Sequence, residues 1–180
     1  MPSHQGYQAT RDVAQRAADI LAVLRVGAGQ REQVIAVLRD HGEPGPLEIT
    51  EADMTEFRQA ARELLEVFTA TSTAEAAERL NRLLAVHARP PRLTTHDGQA
   101  AWHVHADSRD DAPWGEWFLT SSCLALAVLL AERQAPPAGM CASPACGKPF
   151  VNTGRGGARH YCSPACGTRE RVAAHRARSG

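Results

Sequence analysis

The 180-residue chain lacks any run close to the roughly eighteen consecutive apolar residues that a membrane span requires. Its opening residues, MPSHQGYQATRD, have neither the basic nor the apolar part of a signal peptide. The expectation is a cytoplasmic protein with no membrane contact. Internal repeats and low-complexity tracts are also missing. The last forty residues are poor in two further things. They hold few large apolar residues beyond Phe150, Val151 and Val172, too little to build a core, so that segment needs a staple. They also hold a single acidic residue, Glu170.

The formal net charge of zero hides a division. Residues 1–140 carry thirteen Arg against nineteen Asp and Glu, a net of minus six, whereas 141–180 carry six Arg and Lys148 against Glu170, a net of plus six. A basic end on an acidic body is the electrostatic footprint of a segment that meets polyanions, nucleic acid first among them. Attraction between tail and body is the plainer alternative.

The front of the chain reads as helical. Val13, Ala17, Ile20, Leu21 and Leu24 recur at helical spacing and predict a helix over about Thr10 to Val26. Gly27 and Gly29 break it, and Val34, Ile35, Val37 and Leu38 predict a shorter partner ending before His41. Thr50 followed by Glu51 and Asp53 is an N-cap with acids in the first turn, opening a helix to about Ala70 that buries Phe57, Ala61, Leu64, Leu65 and Phe68. A further helix from Thr73 turns Ala76, Ala77, Leu80, Leu83, Leu84 and His87 inward and ends at Pro90 and Pro91. Between 92 and 106 the period changes to two around a His96-Asp97-Gly98 turn, predicting a short β-hairpin with Trp102, Val104 and Ala106 alternating with His103 and His105. Trp114 to Arg133 is the most apolar stretch and reads as a central helix. Pro136, Pro137 and Gly139 read as a linker over 136–140. The expected fold class is mainly α with a small β-hairpin: a helical domain over 1–135, then a treble-clef-like module over 141–180.

Cys141, Cys146, Cys162 and Cys166 form two close pairs separated by a Gly- and Arg-rich loop. Four thiolates surround one tetrahedral zinc ion and leave no position for water or substrate, so the ion is expected to be structural. An iron site would use similar ligands. Disulfides are the competing reading, weakened by the reducing compartment. Phe150 and Val151 before a Thr153 to Gly157 turn, with His160 and Tyr161 after it, predict a hairpin that brings the pairs together. Ser163 and Pro164 mark a helix start, which puts Cys166 in the first turn, where the helix dipole favours a thiolate. His160 is an alternative ligand or a solvated residue, and Cys123 a small core residue.

At about 100° per residue, Cys166, Arg169, Ala173 and Arg176 share one side of that last helix. Arg171, His175 and Arg178 fall nearly opposite and are the first candidates for phosphate or groove contact, with Arg155 and Arg159 of the loop next. Arg169 and Arg176, nearer the metal side, complete the candidate set.

The residues Cys162-Ser-Pro-Ala-Cys166-Gly167-Thr168-Arg169, with Cys141-Ala-Ser-Pro-Ala-Cys146 and Phe150 before them and Arg171 and His175-Arg176-Ala-Arg178 after, resemble the CGNR zinc-finger family. The resemblance covers the last forty residues. It implies that the cysteines bind zinc, that the finger binds DNA and that the helical domain in front is the alanine-rich ABATE domain of stress-induced bacterial transcription regulators. The name-giving Asn is Thr168 here. The Asp and Asn-Thr segment associated with the start of the ABATE domain is not recognisable before Arg11.

Three functions compete. A DNA-binding transcription regulator, its helical domain sensing a small-molecule ligand or forming a homodimer, explains charge, zinc and resemblance together. A zinc-dependent protein-interaction or RNA-binding module is the alternative. RNA readers usually offer stacking aromatics, and the tail has Phe150 and Tyr161 alone. An enzyme would need a constellation such as His103 and His105 with Asp97 or Asp107. Histidines alternating with Trp102 and Val104 read more simply as a solvent face, so no catalytic residue is assigned and no enzymatic activity is expected.

Overall fold

The computed structural model describes residues 4–26, 29–43, 45–98, 100–154 and 159–179. Five helices form the body: α1 (His4–Leu24), α2 (Gln30–Asp40), α3 (Glu51–Phe68), α4 (Thr73–His87) and α5 (Trp114–Arg133). The antiparallel pair β1 (Arg92–Thr94) and β2 (His103–His105) stands between α4 and α5. A second antiparallel pair, β3 (Ala138–Met140) and β4 (Pro149–Val151), precedes α6 (Pro164–Ser179).

Local chemistry sets the helix starts. Thr50 Oγ1 accepts from the Asp53 amide at 3.2 Å while Asp53 accepts from the Thr50 amide at 2.8 Å, a reciprocal capping box. For α4 the cap is Ser72, which accepts from the Glu75 amide at 3.1 Å. The first helix begins at His4, six residues before the Thr10 at which the apolar spacing starts it.

By length and composition α5 is apolar enough to cross a membrane. In this fold it is the central helix, packed against α1, α3 and α4 with Phe118, Leu119, Cys123, Leu126 and Leu129 buried. Burial pushes the Cys123 thiol up to about 12, with the Glu63 carboxylate adding to the effect, so this sulfur is an inert core group. Phe57 packs between Trp114 and Phe118, at ring separations of 6.0 and 5.5 Å. The approach of α5 to α3 depends on Gly115: a Cβ there would lie 2.7 Å from Glu56 Cβ and 3.1 Å from its backbone carbonyl. Gly115→Ala is expected to cost about 1–3 kcal/mol through overpacking. Urea unfolding of the variant checks this, and an unchanged midpoint would show that the two helices can separate freely.

His87 and His41 act between helices. His87 lies 2.6 Å from Glu63 of α3, so it faces a carboxylate at the rim of the core it was expected to enter. His41 lies 3.0 Å from Asp19 of α1.

Two expectations are corrected. The β1–β2 pairing is the expected hairpin, yet its faces are reversed: His105 is buried and His103 half-buried, while Trp102 is 72% and Val104 48% exposed. A two-residue period defines two faces without saying which turns inward, and here polar partners on Arg92, Asp107 and Asp110 hold the histidine face. The segment 136–140 is not a free linker, because Ala138, Gly139 and Met140 pair with Val151, Phe150 and Pro149. A Cβ on Gly139 would lie 3.0 Å from the Phe150 ring, so glycine makes room for the aromatic across the pair. Ala138 and Val151 are buried in the core of the helical body, and β4 packs on α1. The tail is thereby joined to the body by a shared core.

Candidate metal centre and basic helix

The β3–β4 hairpin carries the first cysteine pair in its turn. Cys141 donates its amide to the Lys148 carbonyl at 2.9 Å, and Ser143 O accepts from the Cys146 amide at 2.8 Å and the Gly147 amide at 3.1 Å. Gly147 closes this knuckle in the left-handed region at φ 58°, where a side chain would be strained. The second pair lies at the start of α6, where Ser163 Oγ accepts from the Cys166 amide at 3.3 Å, the expected N-cap. The Ala142 amide donates to the His160 carbonyl at 2.8 Å, and Ser143 donates to Glu170 of α6 at 2.6 Å. Knuckle and helix are therefore tied together independently of the sulfurs. The hairpin found is β3 with β4, in place of the expected pairing of 150–151 with 160–161, and the second pair is brought up by the Ala142–His160 and Ser143–Glu170 hydrogen bonds.

All four cysteines are free thiols, with their Sγ atoms within 4.8 Å of one another. Cys146 to Cys162 and Cys162 to Cys166 are 3.6 and 3.7 Å. Zinc–sulfur bonds of about 2.3 Å in a tetrahedron give sulfur separations of about 3.8 Å, whereas a disulfide needs about 2.05 Å. The donor set thus fits one zinc ion. Burial works against ionising Cys141, yet amides of Cys162 and Ser143 donating to its sulfur outweigh that and bring the thiol down to about 7. Burial and the neighbouring sulfurs push Cys162 up to about 12. One thiolate forms readily and its neighbour resists, as expected of a cluster that waits for a dication to offset its accumulating charge.

A family model described as "ABATE: Putative stress-induced transcription regulator" matches residues 4–136, and a model for the CGNR zinc finger matches residues 138–179. The chain belongs to the ABATE family and carries a CGNR zinc finger. Among curated proteins no relative matches it. The finger holds one structural zinc ion, consistent with the four-sulfur geometry. The finger match begins at Ala138, so it includes β3, the strand that composition alone assigns to a linker.

Within this CGNR finger, Gly167 packs on Tyr161: a Cβ there would lie 3.3 Å from the ring. Thr168, in place of the family Asn, accepts from Arg171 at 3.0 Å, so the position still offers an oxygen to the helix's first outward arginine. From Arg171 to Arg178 every residue of α6 is exposed. Arg169 is exposed too, while Arg159 donates from its guanidinium to the Val151 carbonyl at 2.6 Å and lies 5.3 Å over the Phe150 ring. That arginine has a structural task at the end of β4. Arg155 lies outside the described residues.

Two functional residues have little sequence signal. Glu170, the lone acid of the tail, braces the knuckle through Ser143. Asn152, 4% exposed, donates its side-chain amide to the Pro136 carbonyl at 2.9 Å, and its backbone amide to Pro137 at 2.8 Å, clasping the entry to β3. An acid amid basic residues was a signal for Glu170; nothing in the local pattern marks Asn152.

Proposed function

We propose that the chain is a DNA-binding transcription regulator. Cys141, Cys146, Cys162 and Cys166 hold the zinc ion, and the ion fixes the start of α6 so that its outer turns enter or cross a groove of duplex DNA. The observation that carries this reading is the state of α6 beyond Glu170: eight consecutive exposed residues, about 12 Å of helix, that cover no core and include Arg171, Arg176 and Arg178. A basic helix whose last turns stand exposed suits a polyanionic partner better than a structural role. Arg171, His175 and Arg178 lie within about 60° of one another around the axis and would meet the same strand of phosphates. Arg169 and Arg176 lie on the other side of the helix and are the secondary candidates. The helical body, 4–136, then serves ligand sensing or pairing of two copies, since about five cationic contacts from one finger give modest affinity. On this reading the protein works in the cytoplasm and catalyses nothing.

The test is binding of the zinc-loaded full chain to labelled genomic duplex fragments, alongside a variant with Arg171, His175 and Arg178 all replaced by Ala. Loss of about a hundredfold in affinity at unchanged zinc content places the contacts on α6, at roughly 1 kcal/mol or more for each charge-assisted contact. Equal binding by both proteins would remove α6 from the interface. Preference for folded RNA or an acidic protein over duplex DNA would move the finger to the interaction-module reading.

A further inference from the structure

Outside the four-sulfur site, the turn of the β1–β2 hairpin gathers three imidazoles. His96 Nε2 lies 3.1 Å from His103 Nε2, which lies 3.0 Å from His105 Nε2. All three residues bring a ring nitrogen within 4.8 Å of the others. The rings are not stacked: centroids are 4.9–5.0 Å apart with interplanar angles of 39°, 62° and 74°, so nitrogen edges converge.

On their other side, two of the rings meet acceptors that set the tautomer. His105 Nδ1 lies 2.9 and 3.0 Å from the two oxygens of buried Asp107, and His103 Nδ1 lies 2.7 Å from the Ala101 carbonyl. His96 Nδ1 faces Asp110 at 3.6 Å, beyond a hydrogen bond. Arg92 donates to Asp107 and Asp110 at 2.7 and 2.6 Å and holds both carboxylates in place. With the protons of His103 and His105 drawn to Nδ1, their Nε2 atoms present lone pairs to each other at 3.0 Å with no hydrogen between them, and His96 Nε2 closes on the same point. Such an arrangement calls for a cation at its centre. Imidazole nitrogens about 2.0–2.1 Å from one ion stand about 3.0–3.4 Å apart, the spacing seen here. An outer acceptor on Nδ1 is the usual brace of a metal-bound histidine.

The backbone is committed to the same end. His96 and Asp97, both non-glycine, adopt left-handed φ of 47° and 55°, which swings the His96 ring back over the strand pair. The hairpin turns its histidines inward and leaves Trp102, Val104 and Leu93 in solvent, the reverse of what apolar burial favours.

We propose that His96, His103 and His105 bind one divalent transition-metal ion of the zinc, cobalt or nickel class, at a second site separate from the finger. Three nitrogen ligands on a partly exposed hairpin leave a coordination position open, the pattern of an exchangeable ion as opposed to a closed structural one. Asp107 and Asp110 are positioning residues, acting through the rings.

The experiment titrates Co²⁺ into the zinc-loaded full chain, read by calorimetry and visible absorption. One equivalent is expected beyond the finger's zinc, with d–d absorption but without the sulfur charge-transfer band that replacement of zinc at the cysteines would bring. His103→Gln, which keeps a polar group of similar size, and His96→Ala are each expected to weaken that equivalent at least tenfold while zinc content and melting temperature before cobalt stay unchanged. Asp107→Asn is expected to weaken it about tenfold or more. No added equivalent in the folded protein would overturn the proposal. So would an equivalent that His103→Gln and His96→Ala leave undiminished, or one that carries the sulfur band.

Discussion

Withdrawing the zinc ion is expected to unfold α6 and the cysteine knuckle while α1 to α5 stay folded. The second half of α6 stands exposed, and beyond the Ala142–His160 and Ser143–Glu170 hydrogen bonds the knuckle depends on Phe150, Tyr161 and the sulfurs themselves. An isolated helix of sixteen residues is marginal in water. The apparent binding energy of structural zinc, of order 10 kcal/mol at neutral pH, is then nearly the whole stability of this module. Because Val151 and Ala138 belong to the body's core, the body should also melt several degrees lower, and this separates a shared core from two independent domains. A chelator titration followed by circular dichroism and amide exchange reads both effects, and Cys166→Ser should reproduce them. Acid acts in the same direction. Without the ion Cys162 keeps its proton up to about 12 and Cys141 up to about 7, so zinc uptake near neutral pH displaces protons. Affinity therefore falls as pH drops through 7 and recovers as it rises. Full helicity and an unchanged melting temperature in the metal-free protein would contradict this account.

The next largest effect is expected at Arg16, where the two partners of one ion pair should respond unequally. Arg16, with 6% of its side chain exposed, pairs with Glu43, donates to Ser121 at 3.2 Å and lies 4.1 Å over the Trp117 ring. Burial lowers its pKa and Glu43 opposes that shift. Glu43→Ala leaves a guanidinium inside the body with a hydroxyl and an aromatic face as remaining partners, a loss expected to reach about 3 kcal/mol. Arg16→Met keeps much of the apolar contact with Trp117 and leaves Glu43, 21% exposed, free to hydrate, so its cost should stay near 1 kcal/mol. Chemical denaturation of both variants decides it. Equal losses would mean that the pair itself, and not the stranded buried charge, carries the energy.

What the sequence makes legible is mostly local chemistry. Thr50 with Asp53 and Ser163 with Pro164 each signal a structure formed within a few residues, the four cysteines signal a site by residue type and close pairs, and each is found. Long-range pairing is harder to read. Pro136 and Pro137 look like a spacer, but the strand after them is defined by Phe150, twelve positions beyond its start, and by the Asn152 clasp. The histidine hairpin shows the same limit. His103 and His105 share a face by simple alternation, but which face turns inward depends on Arg92, Asp107 and Asp110, and His96 joins only through a left-handed turn. Arg159 reads as a loop cation because its partner is a backbone carbonyl, and no side-chain pattern announces that.

The most direct test of the central claim is the salt dependence of duplex binding by the zinc-loaded full chain. If α6 neutralises phosphates through about five cations, the logarithm of affinity should fall linearly with the logarithm of salt concentration, with a slope of about −4.5. A variant lacking Arg171 and Arg178 should bind more weakly with a slope nearer −3. Duplex binding that is absent at low salt from the fully metallated protein, or that is present but indifferent to salt, would contradict the claim that this zinc-anchored helix is a DNA-binding element.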